Sequence, residues 1–253
     1  MTSSYSILAY WGPRRETPEA CAPRLLQTFD ALARIHPILS RWFCADPASG
    51  KPRLVSSLDL QDAMRLIERG KGLSEIGRKP ILEDGYHVVA MTELAWGPRR
   101  LTIHGNLGGY TAGPLLANNI TLSTPKLDSE NEAVINFRVF RSVVIGLASI
   151  WNATSCTATS SELLQLVPGV DWTRRQPRFN GGWITYLSAP FAAKIAPPHS
   201  AICEQVNGGL LMTATQEMFR IDNPAHVAVA RDIDAALAPI NALPWPPDAN
   251  DSR

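Results

Sequence analysis

The sequence predicts an α+β fold in which a mainly antiparallel sheet packs against a long central helix. Segments rich in β-forming residues come in runs, which favours an antiparallel sheet over a doubly wound parallel one. The middle of the chain carries a long apolar stripe at helical spacing. With 253 residues, 45% of them hydrophobic, the chain can bury a large core.

The domain organisation follows from composition, which shows no break that would mark a linker. We therefore expect a single α+β domain over residues 1–242. Two similar halves, residues 1–125 and 126–242, would meet near the central helix. Residues 243–253 are rich in proline and polar side chains and are predicted to be a disordered tail.

The first predicted elements are a strand and a helix. Residues 6–11 form a short apolar run that is typical of a strand. Thr17 is a good N-cap, Pro18 suits the first helical position, and apolar spacing continues the helix to about residue 35. Pro37 ends or kinks this helix because it has no N–H to donate.

A second helix and three strands precede the middle of the chain. Residues 46–53 have the Pro, Ser and Gly content of a loop, and a helix is predicted over residues 59–69 with Gly70 as its C-cap. The apolar stripe of this helix consists of Leu60, Ala63, Met64 and Ile67. A glycine-rich loop is predicted at residues 105–114. The three strands are predicted over residues 86–94, 100–104 and 118–123.

The central helix is predicted over residues 129–151. Ser129 can cap its start, and Glu132 can reach back to complete a capping box. The stripe consists of Phe137, Phe140, Val144, Leu147 and Trp151. At 1.5 Å per residue this helix would be roughly 33 Å long, about the diameter of a domain.

The remaining elements are strands and a final helix. The Thr- and Ser-rich residues 154–161 predict a strand or an edge segment, and residues 183–188 give the clearest late strand signal. Two apolar segments flank the Asn-Gly-Gly of residues 207–209, which is a strong hairpin signal. Asn223 is predicted to cap the last helix.

Charge and cysteine usage bound the classes of partner. The formal net charge is +1 from 24 basic and 23 acidic residues, so no bulk electrostatic attraction to nucleic acid or an anionic membrane is expected. The four cysteines contain no Cys-x-x-Cys pair, which argues against a zinc or thioredoxin-like site. Cys21 and Cys203 lie in apolar patterns and are expected to be packed thiols, while disulfide formation stays open.

The sequence carries no motif for catalysis or cofactor binding. It has no Gly-x-x-x-x-Gly-Lys phosphate loop, no His-Glu-x-x-His zinc motif and no Gly-x-Ser-x-Gly nucleophile elbow. None of the five histidines has a metal-like partner two or four residues away. We therefore predict a protein with no catalytic residues, no metal and no cofactor. A hydrolase with a triad assembled from distant residues is the enzymatic alternative.

Four acidic residues and one tryptophan are the candidate partner-binding residues. Glu83 and Asp84 lie on a predicted turn. Asp128 and Glu130 lie at the predicted start of the central helix, where compensation of the helix dipole is the alternative role. Trp172 stands in a polar setting, and tryptophan is enriched at binding hot spots. The acidic residues would speed encounter with a basic partner.

The N-terminal segment and the hydropathy pattern predict a cytoplasmic protein. Residues 1–15 lack the basic n-region and the apolar core of a signal peptide. The longest charge-free apolar run, residues 143–151, is far too short to cross a bilayer. We expect no membrane contact.

Six stretches spread over residues 7–238 carry a family resemblance. They are residues 10–14 (Tyr-Trp-Gly-Pro-Arg), 21–22 (Cys-Ala), 42–43 (Trp-Phe), 118–125, 182–188 (Gly-Trp-Ile-Thr-Tyr-Leu-Ser) and 223–227 (Asn-Pro-Ala-His-Val). In this order and spacing they resemble immunity protein family 52 of bacterial polymorphic toxin systems.

The resemblance implies an α+β immunity protein that binds and neutralises a cognate toxin encoded beside it. Toxins paired with this family typically look like restriction-endonuclease-fold nucleases, some of them delivered by type VI secretion. Tight binding would cover the toxin's active cleft or block an assembly that the toxin needs, without direct contact to nucleic acid. An adaptor that loads an effector without inhibiting it is a further alternative, and the oligomeric state is not implied.

Overall fold

The secondary structure consists of ten strands and seven α-helices within the described part of the chain. The computed structural model describes residues 4–73, 79–95, 97, 99–110, 118–126, 133–166 and 179–242. The strands are β1 (Ser4–Tyr10), β2 (Phe43–Ala45), β3 (Pro52–Leu54), β4 (Tyr86–Met91), β5 (Thr102–Leu107), β6 (Asn119–Lys126), β7 (Ser155–Ser160), β8 (Ile184–Leu187), β9 (Ile202–Val206) and β10 (Gly209–Thr213). The helices are α1 (Pro18–Ile35), α2 (Leu60–Arg69), α3 (Phe137–Trp151), α4 (Ser161–Leu166), α5 (Ala189–Ala192), α6 (Pro224–Ala236) and α7 (Ala238–Asn241).

All ten strands form one sheet in the order β3-β2-β4-β5-β6-β1-β7-β8-β10-β9. Every pairing is antiparallel. The first strand of the chain, β1, lies in the middle, between β6 on one side and β7 on the other. The α+β class with an antiparallel sheet is therefore confirmed, while the similarity of the two halves stays a prediction.

Helix α3 is the centre of the helical layer that covers one face of the sheet. It contacts β1, β7 and β8, and it also packs against α1. Its Phe140 ring meets the Tyr5 ring of β1 edge-on, with centroids 6.1 Å apart and planes at 88°. Trp183, just before β8, lies 5.2 Å from the same phenylalanine ring. The predicted packing of a central helix against the sheet is thus present.

The start of this helix differs from the prediction. Residues 133–136 form turns and bends, and α3 begins at Phe137, where the Asn136 side chain accepts a hydrogen bond from Val139 N at 3.0 Å. At 1.5 Å per residue, α3 is about 22 Å long rather than 33 Å. Asn136 is as good a cap as Ser129, and the local sequence does not decide between them. The predicted capping box of Ser129 and Glu132 lies outside the described residues.

The predicted glycine-rich loop begins later than expected, because β5 continues through Gly105 to Leu107. A Cβ on Gly105 would come within 2.9 Å of the Ile120 Cδ1 atom on β6. Glycine is therefore used here for close side-chain packing, and the turn begins at Gly108, whose φ is +69°. Residues 111–117 of the predicted loop lie outside the described residues.

The Thr- and Ser-rich segment forms β7, a central strand that pairs with both β1 and β8, and not an edge segment. Its side chains are small, so elements can approach it from both faces. The Gly182 Cα lies so close to β7 that a Cβ there would stand 2.5 Å from Ala158 O. Small polar side chains here indicate tight packing rather than exposure.

The second face of the sheet is covered in its C-terminal half. Phe179 packs against Tyr10 of β1 with ring centroids 6.5 Å apart, and Phe191 lies 5.1 Å from Phe179. The Gly181 N–H donates to the buried Asp234 carboxylate of α6 at 2.9 Å. Residues 179–182, α5 and α6 thus form a second layer beside β7, β8 and β10.

Single side chains also depart from the sequence interpretation. Leu60, at the first position of α2, is 46% exposed, and Leu66 occupies the buried face instead. Cys203 is exposed, because β9 is the last strand of the sheet. Cys21 is buried as predicted, and none of the four cysteines forms a disulfide. No helix in the described ranges is both long and apolar enough to span a membrane.

Candidate functional site

The predicted acidic pair lies on a short 3-10 turn, Leu82–Asp84, directly before β4. Gly85 turns the chain with φ +72°, and a Cβ on this glycine would stand 2.2 Å from Leu107 O, so no other residue fits there. Tyr110 N donates to Glu83 O at 3.0 Å and ties the turn to the end of β5. The Glu83 side chain is exposed and Asp84 is partly exposed. The turn therefore presents negative charge at the start of β4.

The other candidate residues, Asp128, Glu130 and Trp172, lie outside the described residues. Their predicted role in partner binding stays a prediction. The structure consequently places one of the predicted acidic pairs on the surface and leaves the predicted set as a whole untested.

Beside the acidic turn lies an exposed sheet surface that the sequence did not predict. Strands β4, β5, β6 and β1 are neighbours, and their register places outward side chains in three rows of four. The rows are His87–Asn106–Asn119–Tyr10, Val89–His104–Thr121–Leu8 and Met91–Thr102–Ser123–Ser6. We call these twelve residues the open face.

The open face is exposed yet carries no Asp, Glu, Lys or Arg. Val89 is 41% exposed and Leu8 is 39% exposed, both in the middle row. Every other member except Tyr10 is exposed or partly exposed. The surface combines aliphatic side chains with hydroxyl, amide and imidazole groups, which can pack against a partner and also form hydrogen bonds.

The opposite face of the same strands explains why the open face exists. The inward residues alternate with the outward ones and are buried beneath the helical layer; they include Val88, Ala90, Ile103, Leu107, Ile120, Leu122, Ile7 and Ala9. An antiparallel sheet can bury one face and leave the other to solvent. Helices α1, α2 and α3 lie on the buried side, so the described helices leave the three outward rows uncovered.

Two structural features border the open face. At β1 it meets the layer formed by Phe179 and Phe191, which contact Tyr10 through Phe179. At the start of β4 it meets the acidic turn, since His87 follows Gly85 by two residues. The arrangement is an uncharged surface with an aromatic border on one side and negative charge at one end.

His87 and His104 both belong to the open face and occupy neighbouring strands. His87 pairs with Asn106 and His104 pairs with Val89, so the two histidines are diagonal neighbours. No cluster of three or more His, Cys, Asp or Glu side chains in the described part of the chain is arranged to hold a metal ion. We therefore treat the imidazoles as hydrogen-bonding groups of a surface.

The residues that follow β1 have a structural role. Trp11 stacks on Trp151 at the end of α3, and the Arg14 guanidinium lies 5.7 Å from the Trp11 ring centroid. Arg14 also pairs with Glu16, 3.0 Å from Nε to Oε2, and Glu16 bonds Arg24 as well. The Tyr-Trp-Gly-Pro-Arg stretch thus fixes the turn after β1 to the helical layer.

The fold defines an α+β protein with one large antiparallel sheet and a half-open face. The family model described as immunity protein 52 matches residues 3–243. The chain therefore belongs to the immunity protein 52 family, which confirms the resemblance noted in the sequence.

A solved structure supports the fold. The chain is similar to the Pseudomonas aeruginosa T6SS protein PA0821, with a TM-score of 0.52 and 15% sequence identity. The likeness covers 92% of this chain and 73% of that chain. At this identity it shows that the two folds are alike. A search among curated proteins gave no significant match.

Proposed function

We propose that this protein neutralises a cognate toxin by forming a stoichiometric complex with it, and that it does so without catalysing a reaction. The observation that carries the proposal is the immunity protein 52 match over residues 3–243. An immunity protein protects the cell that makes it, and a tight complex is the simplest way to silence a toxin at equimolar amounts.

The toxin we propose is a nuclease delivered between bacteria by type VI secretion. The family resemblance supports a nuclease of the restriction-endonuclease fold as partner. The similar P. aeruginosa structure is a T6SS protein by its description, which supports this route of delivery. A nuclease that attacks cytoplasmic DNA requires its antidote in the same compartment, so we propose a cytoplasmic location.

The acidic turn is the proposed contact to a basic part of the toxin. Surfaces that bind nucleic acid are rich in Lys and Arg, so a nuclease offers positive charge to an acidic partner. Glu83 is exposed at the end of the open face, where it can meet such a surface. Asp128, Glu130 and Trp172 remain proposed contacts from the sequence.

Co-expression tests the proposal. The C-terminal toxin domain encoded by the neighbouring gene is expressed in cells with and without this protein, and growth and co-purification are measured. Restored growth with a stable complex is the expected result. Restored growth without a complex would indicate an enzyme that reverses the damage, and a complex without restored growth would indicate an adaptor. If growth is not restored and no complex forms, immunity is refuted for that pair.

A further inference from the structure

We infer that the open face is the surface on which the toxin docks. It would hold an uncharged patch of the toxin, with the toxin's basic region placed toward the Glu83–Asp84 turn. This inference rests on the proposed function and deepens it by naming the surface and the chemistry of the partner.

The charge pattern of the open face differs from that of an ordinary protein surface. A soluble protein surface ordinarily carries roughly a quarter to a third charged residues, so three or four would be expected among twelve positions. The open face has none, while the acidic turn lies directly at its end. Charge depletion at the centre with polar or charged residues at the rim is the pattern of a protein-binding surface.

The size of the open face suits the centre of a protein–protein interface. Four strands at about 4.8 Å spacing and six residues at about 3.3 Å rise give a face of roughly 400 Å². A standard interface buries about 800 Å² on each partner. The open face can therefore supply the central half of such an interface, and the acidic turn and the Phe179 border would supply part of the remainder.

The open face is also held in place by the strands and helices around it. Each of the four strands is paired on both sides, and their inward residues are buried under the helical layer. Docking on such a surface orders few new groups, so less conformational entropy is lost on binding. A preformed face of this kind suits an antidote that must hold its toxin tightly.

Charge placement also assigns different roles to the two parts of the surface. Rim charges act mainly on the association rate, because they steer the partner during diffusion. Contacts at an uncharged centre act mainly on the dissociation rate. We therefore expect the acidic turn to control encounter and the open face to control the lifetime of the complex.

The test introduces one charge into the centre of the open face. Val89→Lys and Thr121→Lys place an ammonium group in the middle row, and Leu60→Lys is the matched control on α2, on the other side of the sheet. Val89 and Leu60 are similarly exposed, at 41% and 46%, so folding should tolerate both changes. Circular dichroism and thermal unfolding establish that each variant is folded.

Binding is measured by surface plasmon resonance against a catalytically inactive form of the toxin domain encoded by the neighbouring gene. Val89→Lys and Thr121→Lys should raise Kd about thirtyfold or more, mostly through faster dissociation. Leu60→Lys should stay within about threefold of the wild type, as expected for a site outside an interface. Wild-type affinity in both folded open-face variants would overturn the inference.

The outcomes separate this inference from the proposed function. If the wild-type protein neither binds nor protects, the proposed function fails. If it binds but the open-face variants bind equally well, only the docking surface is wrong. If light scattering shows a wild-type dimer that Val89→Lys converts to a monomer with unchanged toxin affinity, the face joins two copies of this chain and the inference is overturned.

Discussion

Trp11 and Trp151 stack face to face, with ring centroids 4.9 Å apart and an angle of 14° between the rings. Trp11 follows β1, the middle strand of the sheet, and Trp151 ends α3, the central helix. Both rings are almost fully buried, and Trp151 Nε1 donates to the Thr28 hydroxyl of α1 at 2.9 Å. This pair therefore joins the sheet and two helices at one point.

Replacing Trp151 by alanine should destabilise the protein strongly. The change removes the stack, leaves a cavity and deprives the buried Thr28 hydroxyl of its donor, so we expect a loss of about 3–5 kcal/mol in the free energy of unfolding. Trp151→Phe keeps most of the packing and should cost clearly less. Urea denaturation followed by fluorescence measures both, and a loss below about 1 kcal/mol for the alanine variant would contradict this role.

Asn118 should be another sensitive position. It is fully buried, its Nδ2 donates to Gly12 O at 3.0 Å and to Gly109 O at 2.8 Å, and its Oδ1 accepts from Gly109 N at 2.8 Å. Asn118→Ala leaves buried backbone groups unpaired, which should lower stability by about 1–3 kcal/mol or more. Asn119→Ala, one residue further along on the partly exposed side, is the control and should cost less. If Asn118→Ala and Asn119→Ala lower the free energy of unfolding equally in urea titrations, the hydrogen bonds of the Asn118 side chain do not have this role.

The Asp46 carboxylate should add a pH-dependent contribution to stability. It accepts hydrogen bonds from Ser49 N at 2.7 Å, from the Ser49 hydroxyl at 2.9 Å and from Ala48 N at 3.0 Å. These bonds lower the pKa of Asp46 from its usual 3.8 to about 2. The hydrogen bond from the Ser49 backbone contributes most, the bond from the Ser49 hydroxyl comes next, and the hydrogen bond from Arg53 lowers the pKa further. Because the pKa of this carboxyl group is lower in the folded state than in the unfolded state, its charged form stabilises the fold at pH values above the unfolded pKa. The stabilisation is lost as the pH falls toward 2.

Asp46→Asn should therefore be less stable than the wild type at pH 7, and the difference should shrink between about pH 4 and pH 2. Urea midpoints at several pH values measure the difference. Asp30→Asn on α1 controls for the loss of one exposed carboxylate. A difference that stays constant over this pH range would mean that Asp46 does not stabilise the loop through its charge.

The thiols should divide into one accessible and three protected groups. Cys203 is exposed on β9, whereas Cys21, Cys44 and Cys156 are buried. Burial also raises the pKa of each of these buried thiols, that of Cys21 to about 12, which keeps them protonated. Ellman's reagent should titrate one thiol in the native protein and four in denaturant. A second fast native thiol would contradict the packing, and Cys203→Ser should abolish the fast reaction.

Reversing the charge of the acidic turn should slow association with the toxin. Glu83→Lys with Asp84→Lys removes the attraction to a basic partner, so the association rate at low salt should fall about tenfold or more, with little change in dissociation. The difference should narrow as the ionic strength rises, because salt screens exposed charges. Glu68→Lys, which reverses one exposed charge on α2, is the control variant. If the double variant associates at the wild-type rate at low salt, the acidic turn is not part of the interface.

Local signals predicted much of the fold correctly. The Asn-Gly turn at residues 207 and 208 has positive φ at both positions, +51° and +75°, as such hairpins require. Thr17, Pro18 and Asn223 likewise stand at the predicted helix starts. These features depend on a few neighbouring residues, so the sequence specifies them without knowledge of the rest of the chain.

The open face could not be predicted because it depends on long-range pairing. Alternation at residues 100–104, in and just before β5, is visible in the sequence. Only the register, however, brings Val89, Thr121 and Leu8 into one row. Strand β1 joins β6 across more than a hundred residues. The sequence signal that was available is the absence of charge at alternating positions of these four strands, and it is meaningful only once their order is known.

Titration of toxin activity distinguishes stoichiometric neutralisation from every other mode of protection. The purified toxin domain encoded by the neighbouring gene is assayed for DNA cleavage while this protein is added in increasing amounts. We expect a linear loss of activity that ends at one equivalent, with a 1:1 complex in light scattering. Full cleavage at several equivalents, or loss of activity at a small fraction of one equivalent, would contradict it.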